Sequence, residues 1–473
     1  GAALGGLNVQ MTGDRYLGPA LIDSVKAGKV PESVVDDKVR EILRVRYAIE
    51  PIPEDEANIV MTSQKPQQQI AHEVAQKSIV LLQNDGILPL AKSTPKIAVI
   101  GLNAKASTAA GGMGAGVKTL YEVSPYEGIA SHAEGEVSYA QAYKNYMGMF
   151  GRWLGANDPS VATEIDEAPS PELLDEALKN AAEADVVIFF SGTNKSIESE
   201  GSDRENIDLP VSQNEILAKI AEVNPNIVTV NISGGPCDLR EACKLSRAVV
   251  QGWWNGLEGG NALAEVLFGE IAPSGKLPIT FPARLEDSPA FALGNFPQKA
   301  EVQGDLFGNQ YRQDVQGQNR FRMQYSPDAY YSEGLLVGYR WFDTKDIEPL
   351  FAFGHGLSYV DFEYSNIKAK AGKDAVTVTF DLTNKGSMEA DEVAQLYVKY
   401  ENSAVERPEK ELKAFQRVTV APGETVKVKL SFDLDDLRWW NEEINGWDLE
   451  HGAIDLLLGA ASDDIRLDAT VTI

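Results

Sequence analysis

The chain is poor in cysteine, in histidine and in positive charge. Its two cysteines, Cys237 and Cys243, lie in "GPCDLREAC", and neither has a C-x-x-C partner, so zinc-ribbon and thioredoxin-like readings are weak. A bridge across six residues would need a tight local bend; two free thiols are the other reading, and the sequence leaves both open. The four histidines, His72, His132, His355 and His451, are scattered without metal-ligand spacing, so no metal and no other cofactor is expected. Lysine and arginine together number 43 against 70 aspartates and glutamates, a formal net charge of −27. That disfavours nucleic acid and anionic membrane surfaces, which are bound through basic patches. A neutral ligand such as a sugar meets no such repulsion. No apolar run approaches the ~18 residues of a membrane span. The opening "GAALGGLNVQ" has neither an initiator Met nor a charged-then-apolar leader, and it reads as an interior point of a longer product, or as a processed or trimmed chain. The glycine-rich "GGMGAG", 111–116, lacks the Lys-Ser/Thr of a phosphate loop and the central Ser of a nucleophile elbow.

What is present is enough apolar material, 43% of the residues, to bury a substantial core. At ~100–200 residues per domain, the length allows roughly two to four domains. Residues 1–50 hold two helical patterns, "PALIDSVKAGKV" and "PESVVDDKVREILRVRYAI", the second with Val34, Val35, Val39, Ile42 and Leu43 at helical spacing. Two helices without a strand form the tail of something larger. Residues 51–68 are polar and Pro-rich and read as a linker. Over 69–285 the pattern alternates: helix "QIAHEVAQKSIVLLQND", strand "KIAVIGLN", helix "PELLDEALKNAAEA", strand "DVVIFFSG", helix "SQNEILAKIAEV", strand "NIVTVNISG", then "SRAVVQGWW" and helix "GGNALAEVLFG". Such interleaving predicts a doubly wound α/β/α sandwich. Ligands of these sheets lie beyond the carboxyl ends of the strands, and the charged loop "SGTNKSIESEGSDREN" begins at such an end. Residues 286–359 read as a long polar loop and a bridge. From 360 to 473 the period changes to two, between Gly, Asn and Pro turns, which predicts an all-β sandwich of immunoglobulin or fibronectin type III kind.

Several stretches together resemble one family. "QKSIVLLQNDGILPL" (76–90), "ESEGSDRENIDLPVSQ", "GWWNGLEGGNALAEVLFGEIAPSGKLPITFP" (252–282), "YYSEGLLVGYRWFDTKDIEPLFAFGHGLSY" (330–359) and "VERPEKELKAFQRVTVAPGETVKVKLSFDLDDL" are similar to segments of glycoside hydrolase family 3. The resemblance implies a retaining, exo-acting β-glycosidase that removes terminal β-linked glucose or xylose from β-glucoside or β-xyloside oligosaccharides by double displacement. It implies a periplasmic or extracellular setting, with the cytoplasm as the alternative. It also implies that residues 1–50 are the last helices of a TIM-like barrel. The family's nucleophile is an Asp on that barrel, in a Ser-Asp-Trp-like motif that does not occur here; "GGLNVQMTG" (5–13) resembles a segment just downstream of it. The expected partner is therefore a second chain, or a missing segment, that carries the barrel and the nucleophile. The alternative is a non-catalytic carbohydrate-binding or scaffold protein derived from such a hydrolase. A flavodoxin-like cofactor binder is a third idea, and it has no fingerprint in its favour.

The general acid must hold a proton for the departing glycosidic oxygen. By the resemblance, Glu200 matches that position best, with Glu198 as the alternative. Asp203 and Arg204 follow, and a salt bridge between them would order the loop. Trp253 or Trp254 could stack on a sugar, or pack at a strand end. Tyr331, with Tyr330 and Glu333, could line the pocket or brace the bridge. His355, between glycines, suits a structural hydrogen bond better than a catalytic base.

Overall fold

The computed structural model describes the chain except for residues 12, 15, 50–64, 108, 110–115, 118, 147–160, 163, 199–203, 205, 297–309, 314–318 and 323–329. Residues 1–67 and 68–473 form two separate units. In the first, helix α1 (Pro19–Lys26) opens on a proline, whose missing N–H costs nothing in a first turn, and stops before Gly28 at φ 68°. Helix α2 (Glu32–Ala48) follows. Its apolar residues Val39, Ile42, Leu43, Val45 and Tyr47 are exposed, and among the described residues of this unit only Ala3 and Val30 are buried hydrophobics. Two small side chains amount to almost no core of its own.

The second unit begins in helix α3 (Lys65–Ser78), followed by strand β1 (Val80–Asn84). The sequence reading carries the helix on to residue 85. The structure ends it at Ser78, because Ile79, Val80, Leu81 and Leu82 are all buried. A surface helix buries only a stripe, whereas a strand within a covered sheet buries consecutive residues. Then come β2 (Lys96–Ile100), α4 (Pro125–His132), β3 (Glu136–Ala140), α5 (Pro171–Glu183), β4 (Val186–Gly192), α6 (Gln213–Val223), β5 (Ile227–Ile232), α7 (Arg240–Leu245), β6 (Ala248–Gln251) and α8 (Gly259–Leu267). The sheet order is β1-β6-β5-β4-β2-β3, parallel except for β1. Apolar clusters cover both faces. The doubly wound sandwich expected from the alternation is thus observed. Gly192 closes β4 at φ 131°, and a Cβ there would lie 2.0 Å from the Ile232 carbonyl oxygen of β5.

Within the stretch read as a polar loop, Gln310–Gln313 pairs antiparallel with Asn319–Arg322, and helix α9 (Tyr339–Lys345) precedes the last domain. That domain has β7 (Phe362–Ala371), β8 (Ala375–Asn384), β9 (Ala390–Lys399), β10 (Glu411–Val420), β11 (Thr425–Asp433), the hairpin β12 (Trp439–Asn441) and β13 (Gly446–Asp448), β14 (Ala453–Gly459) and β15 (Ile465–Thr472). Two antiparallel sheets, β7-β8-β11 and β10-β9-β14-β15, face each other. On β8, Val376, Val378, Phe380 and Leu382 point inward in strict alternation, which is the period-two pattern made physical.

The two domains of this unit share a polar and aromatic seam. Lys276 donates to the Gly356 carbonyl at 2.8 Å and pairs with the buried Glu392 at 3.1 Å. Arg417 donates to Ser274 Oγ at 2.6 Å and to the Lys77 carbonyl at 3.2 Å. Tyr339 stacks on Phe353 and meets the edge of Tyr397. His355 donates from Nε2 to the Leu82 carbonyl at 2.8 Å and stacks on Phe351. Burial lowers its pKa, against the smaller opposing effect of that hydrogen bond.

Two outcomes are expected. Gly192→Ala imposes a strained φ and a backbone clash together, so it should cost at least about 1–3 kcal/mol; a urea midpoint equal to that of the parent would refute the close approach. For His355 the folded pKa lies below the unfolded value of 6.5. Its contribution is therefore complete above pH 6.5 and is lost as pH falls toward and through the folded pKa, where the unfolded state binds more protons. Denaturant midpoints should therefore drop as pH falls below 6.5, and His355→Gln should flatten that slope. An unchanged slope in the variant counts against the role.

Candidate active site

The carboxyl ends of β4, β5 and β6 are closed by buried amides and hydroxyls, which the sequence reading passed over. Gln213 donates to the Gly192 carbonyl at 2.9 Å and accepts from the Gly192 N–H at 2.8 Å. Asn231 Nδ2 donates to Ser233 Oγ and to Gln251 Oε1, and Gln251 Nε2 donates to the Ser233 carbonyl. Asn103 Nδ2 donates to the Thr193 carbonyl at 3.1 Å. Asn231, Ser233 and Gln251 are wholly buried. The signal that marks them is a polar residue at the carboxyl end of an otherwise apolar strand, as in "NIVTVNISG" and "AVVQG".

On this frame the loop after β4 is tied down. Asn194 Oδ1 accepts from the Ser196 N–H, and its backbone carbonyl accepts from the N–H groups of Ile197 and Glu198. Glu198 is thereby turned toward the β5–α7 connection, its side chain only 15% exposed. Its Oε1 accepts a hydrogen bond from Thr193 Oγ1 and a second, at 3.3 Å, from the Gly234 N–H. Arg204 Nη1 stands 3.9 Å from the same oxygen, and Nη2 donates to the Pro236 carbonyl at 2.8 Å. Cys237 lies beneath, its Sγ 3.8 Å from Arg204 Nη1. Burial pushes this thiol's pKa up, and the guanidinium opposes that. Both cysteines are free thiols.

The other expected site residues are placed as follows. Glu200 and Asp203 lie outside the described residues, as do residues 111–115 of the glycine-rich segment. Trp253 has a left-handed backbone, φ 56°, and its indole N–H donates to the Ser78 carbonyl while its ring meets Phe281 edge-on. Trp254 is the tryptophan beside Glu198: its ring lies 3.5 Å from the point where a Cβ on Gly234 would sit, and Glu198 Oε2 lies 2.7 Å from that point. Lys195 Nζ stands 5.9 Å from the Trp254 ring centre. Burial lowers the Lys195 pKa, and the charge of Glu122 opposes that shift. Glu122 lines an open cavity of about 320 Å³ with Lys105, Ser107, Ser124, Tyr126 and Glu127. Tyr331 is 78% exposed, at a turn closed by the Gly334 N–H on its carbonyl, and Tyr330 is exposed beside it. Among the described residues, no cluster of three or more His, Cys, Asp or Glu could hold a metal, and no helix is long and apolar enough to cross a membrane.

Comparison with known proteins accounts for both domains. The profile of the glycosyl hydrolase family 3 C-terminal domain matches residues 79–359, and that of the fibronectin type III-like domain matches residues 392–462. A β-glucosidase of Bacteroides ovatus is 34% identical over 480 residues, which cover 97% of this chain and 58% of the relative. The thermostable β-glucosidase B of Acetivibrio thermocellus is 35% identical over 476 residues, covering 99% of this chain and 56% of its own length. The chain thus spans a little over half the length of these curated relatives. Among solved structures, a family 3 β-glucosidase of Bifidobacterium adolescentis superposes with a TM-score of 0.80 at 29% identity, over 100% of this chain and 62% of that one. A Kluyveromyces marxianus β-glucosidase in complex with glucose gives 0.79 at 26% identity, over 100% and 71%. The profile match takes in the sheet and the anchored loop together, and on that ground the chain belongs to glycoside hydrolase family 3.

Proposed function

We propose that these residues form the acid/base-bearing part of a retaining, exo-acting β-glucosidase whose nucleophilic aspartate is carried by a barrel segment or chain outside them. The observation that carries this reading is the loop after β4. It is anchored at the carboxyl edge of the sheet by Glu198 and Arg204, and between these two residues runs the short "SEGSD" that holds Glu200. The relatives are named β-glucosidases, which favours glucose over xylose as the sugar removed.

In this reading Glu200 donates its proton to the glycosidic oxygen while the barrel aspartate attacks the anomeric carbon, forming a glycosyl-enzyme. The same carboxylate then takes a proton from the water that releases the sugar. The two carboxyl groups must stand about 5–5.5 Å apart for this chemistry. Retention of "ESEGSDREN" favours the reading over a retired, non-catalytic scaffold, which has no use for two acidic candidates beside an arginine.

Two results test it. The 473-residue chain alone should not turn over aryl β-glucosides above background. In a polypeptide that also carries the barrel, Glu200→Gln should slow hydrolysis of phenyl β-glucoside by about 10²–10⁴-fold and that of dinitrophenyl β-glucoside far less. Ordinary turnover by the isolated chain would sink the proposal.

A further inference from the structure

We infer that Glu198 is a positioning residue: its carboxylate, with Arg204, clamps the loop after β4 onto the β5–α7 connection, and it does not act as the proton donor. The inference rests on the glycosidase reading for its kinetic consequence, but the clamp itself stands on the geometry.

Oε1 of Glu198 is the meeting point of the Thr193 hydroxyl, the Gly234 N–H and the Arg204 guanidinium. Two of them donate hydrogen bonds to this oxygen, and the guanidinium, 3.9 Å away, adds an ion pair. Oε2 is set against the bare α-carbon of Gly234 and near the Trp254 ring. Gly234 is not among the residues of positive φ. A methyl group there would come within 2.7 Å of Oε2, so it would displace the carboxylate from its place against the Gly234 backbone. Arg204 completes the clamp from the far side through the Pro236 carbonyl. Glu198 and Arg204 are therefore both held by one short stretch, Gly234 and Pro236, of a neighbouring connection. Anchoring of this kind suits a site in which a proton donor must be aimed within a fraction of an ångström. A carboxylate engaged in holding the loop is badly placed to exchange protons with sugar and water as well.

The test uses two variants that break the clamp by different routes: Glu198→Gln, which removes the charge, and Gly234→Ala, which leaves Glu198 intact but crowds its carboxylate. In the 473-residue chain, trypsin should cut after Lys195 and Arg204 at least several-fold faster in both variants than in the parent. Unchanged cleavage in both would overturn the clamp, whatever the enzyme does. In the barrel-containing polypeptide, both variants should lower kcat/KM for phenyl β-glucoside by about 10–100-fold, more than for dinitrophenyl β-glucoside, whose leaving group needs less help from a proton donor, with no acceleration by azide. Glu200→Gly supplies the contrast, with azide-driven formation of a β-glucosyl azide. If Glu198→Gly shows that signature instead, Glu198 is the acid/base and the inference is wrong. Should the parent barrel-containing polypeptide fail to hydrolyse any β-glucoside, the glycosidase reading fails, and the proteolysis result still decides the clamp.

Discussion

A parallel strand that ends inside a covered sheet leaves backbone groups that need partners, and an unpaired buried polar group costs on the order of 1–3 kcal/mol. Here the requirement falls on the carboxyl ends of β4, β5 and β6. It is met by Asn103, Gln213 and Gln251, whose amides act as short extra rungs, while Asn231 holds the Gln251 amide in place. An amide both donates and accepts, so one side chain completes two backbone groups, as Gln213 does with the N–H and carbonyl of Gly192. These rungs give the edge a fixed shape before any ligand arrives. The placement of Thr193, Gly234 and Trp254 around Glu198 follows from it.

The large features were legible in the sequence because they rest on periodicity. Alternating helices and apolar strands announced the doubly wound sheet, and "AVTVTFDLTN" announced an inward-facing Val, Val, Phe, Leu row in the last domain. The errors came where local pattern and tertiary setting disagree. "SIVLLQN" continues a helical run in composition, yet Val80–Asn84 is recruited as the antiparallel edge of the sheet by β6, a partner some 170 residues away. Strand β3 has only Ala140 buried and gives almost no apolar signal. Helix α4 has a readable start, since Ser124 and Glu127 form a capping box, and the sequence reading passed over it.

The candidate site was legible in its chemistry and not in its register. Two glutamates separated by one residue cannot be ranked by composition. The contacts that fix Glu198 and Arg204 include ones that join residues 30 or more positions apart, to Gly234 and Pro236, and these are invisible in a local reading. Trp253 and Trp254 show the same limit: adjacent in sequence, one is spent on Ser78 and Phe281 and the other faces the glutamate.

The anchors of Glu198 and Arg204 described here, Thr193, Gly234 and Pro236, all belong to the sheet domain. A change of sugar preference made on a separate barrel would leave these contacts untouched. On the proposed reading, the two halves of such a catalyst are free to diversify at different tempos, one exploring new substrates while the other is inherited as a finished part.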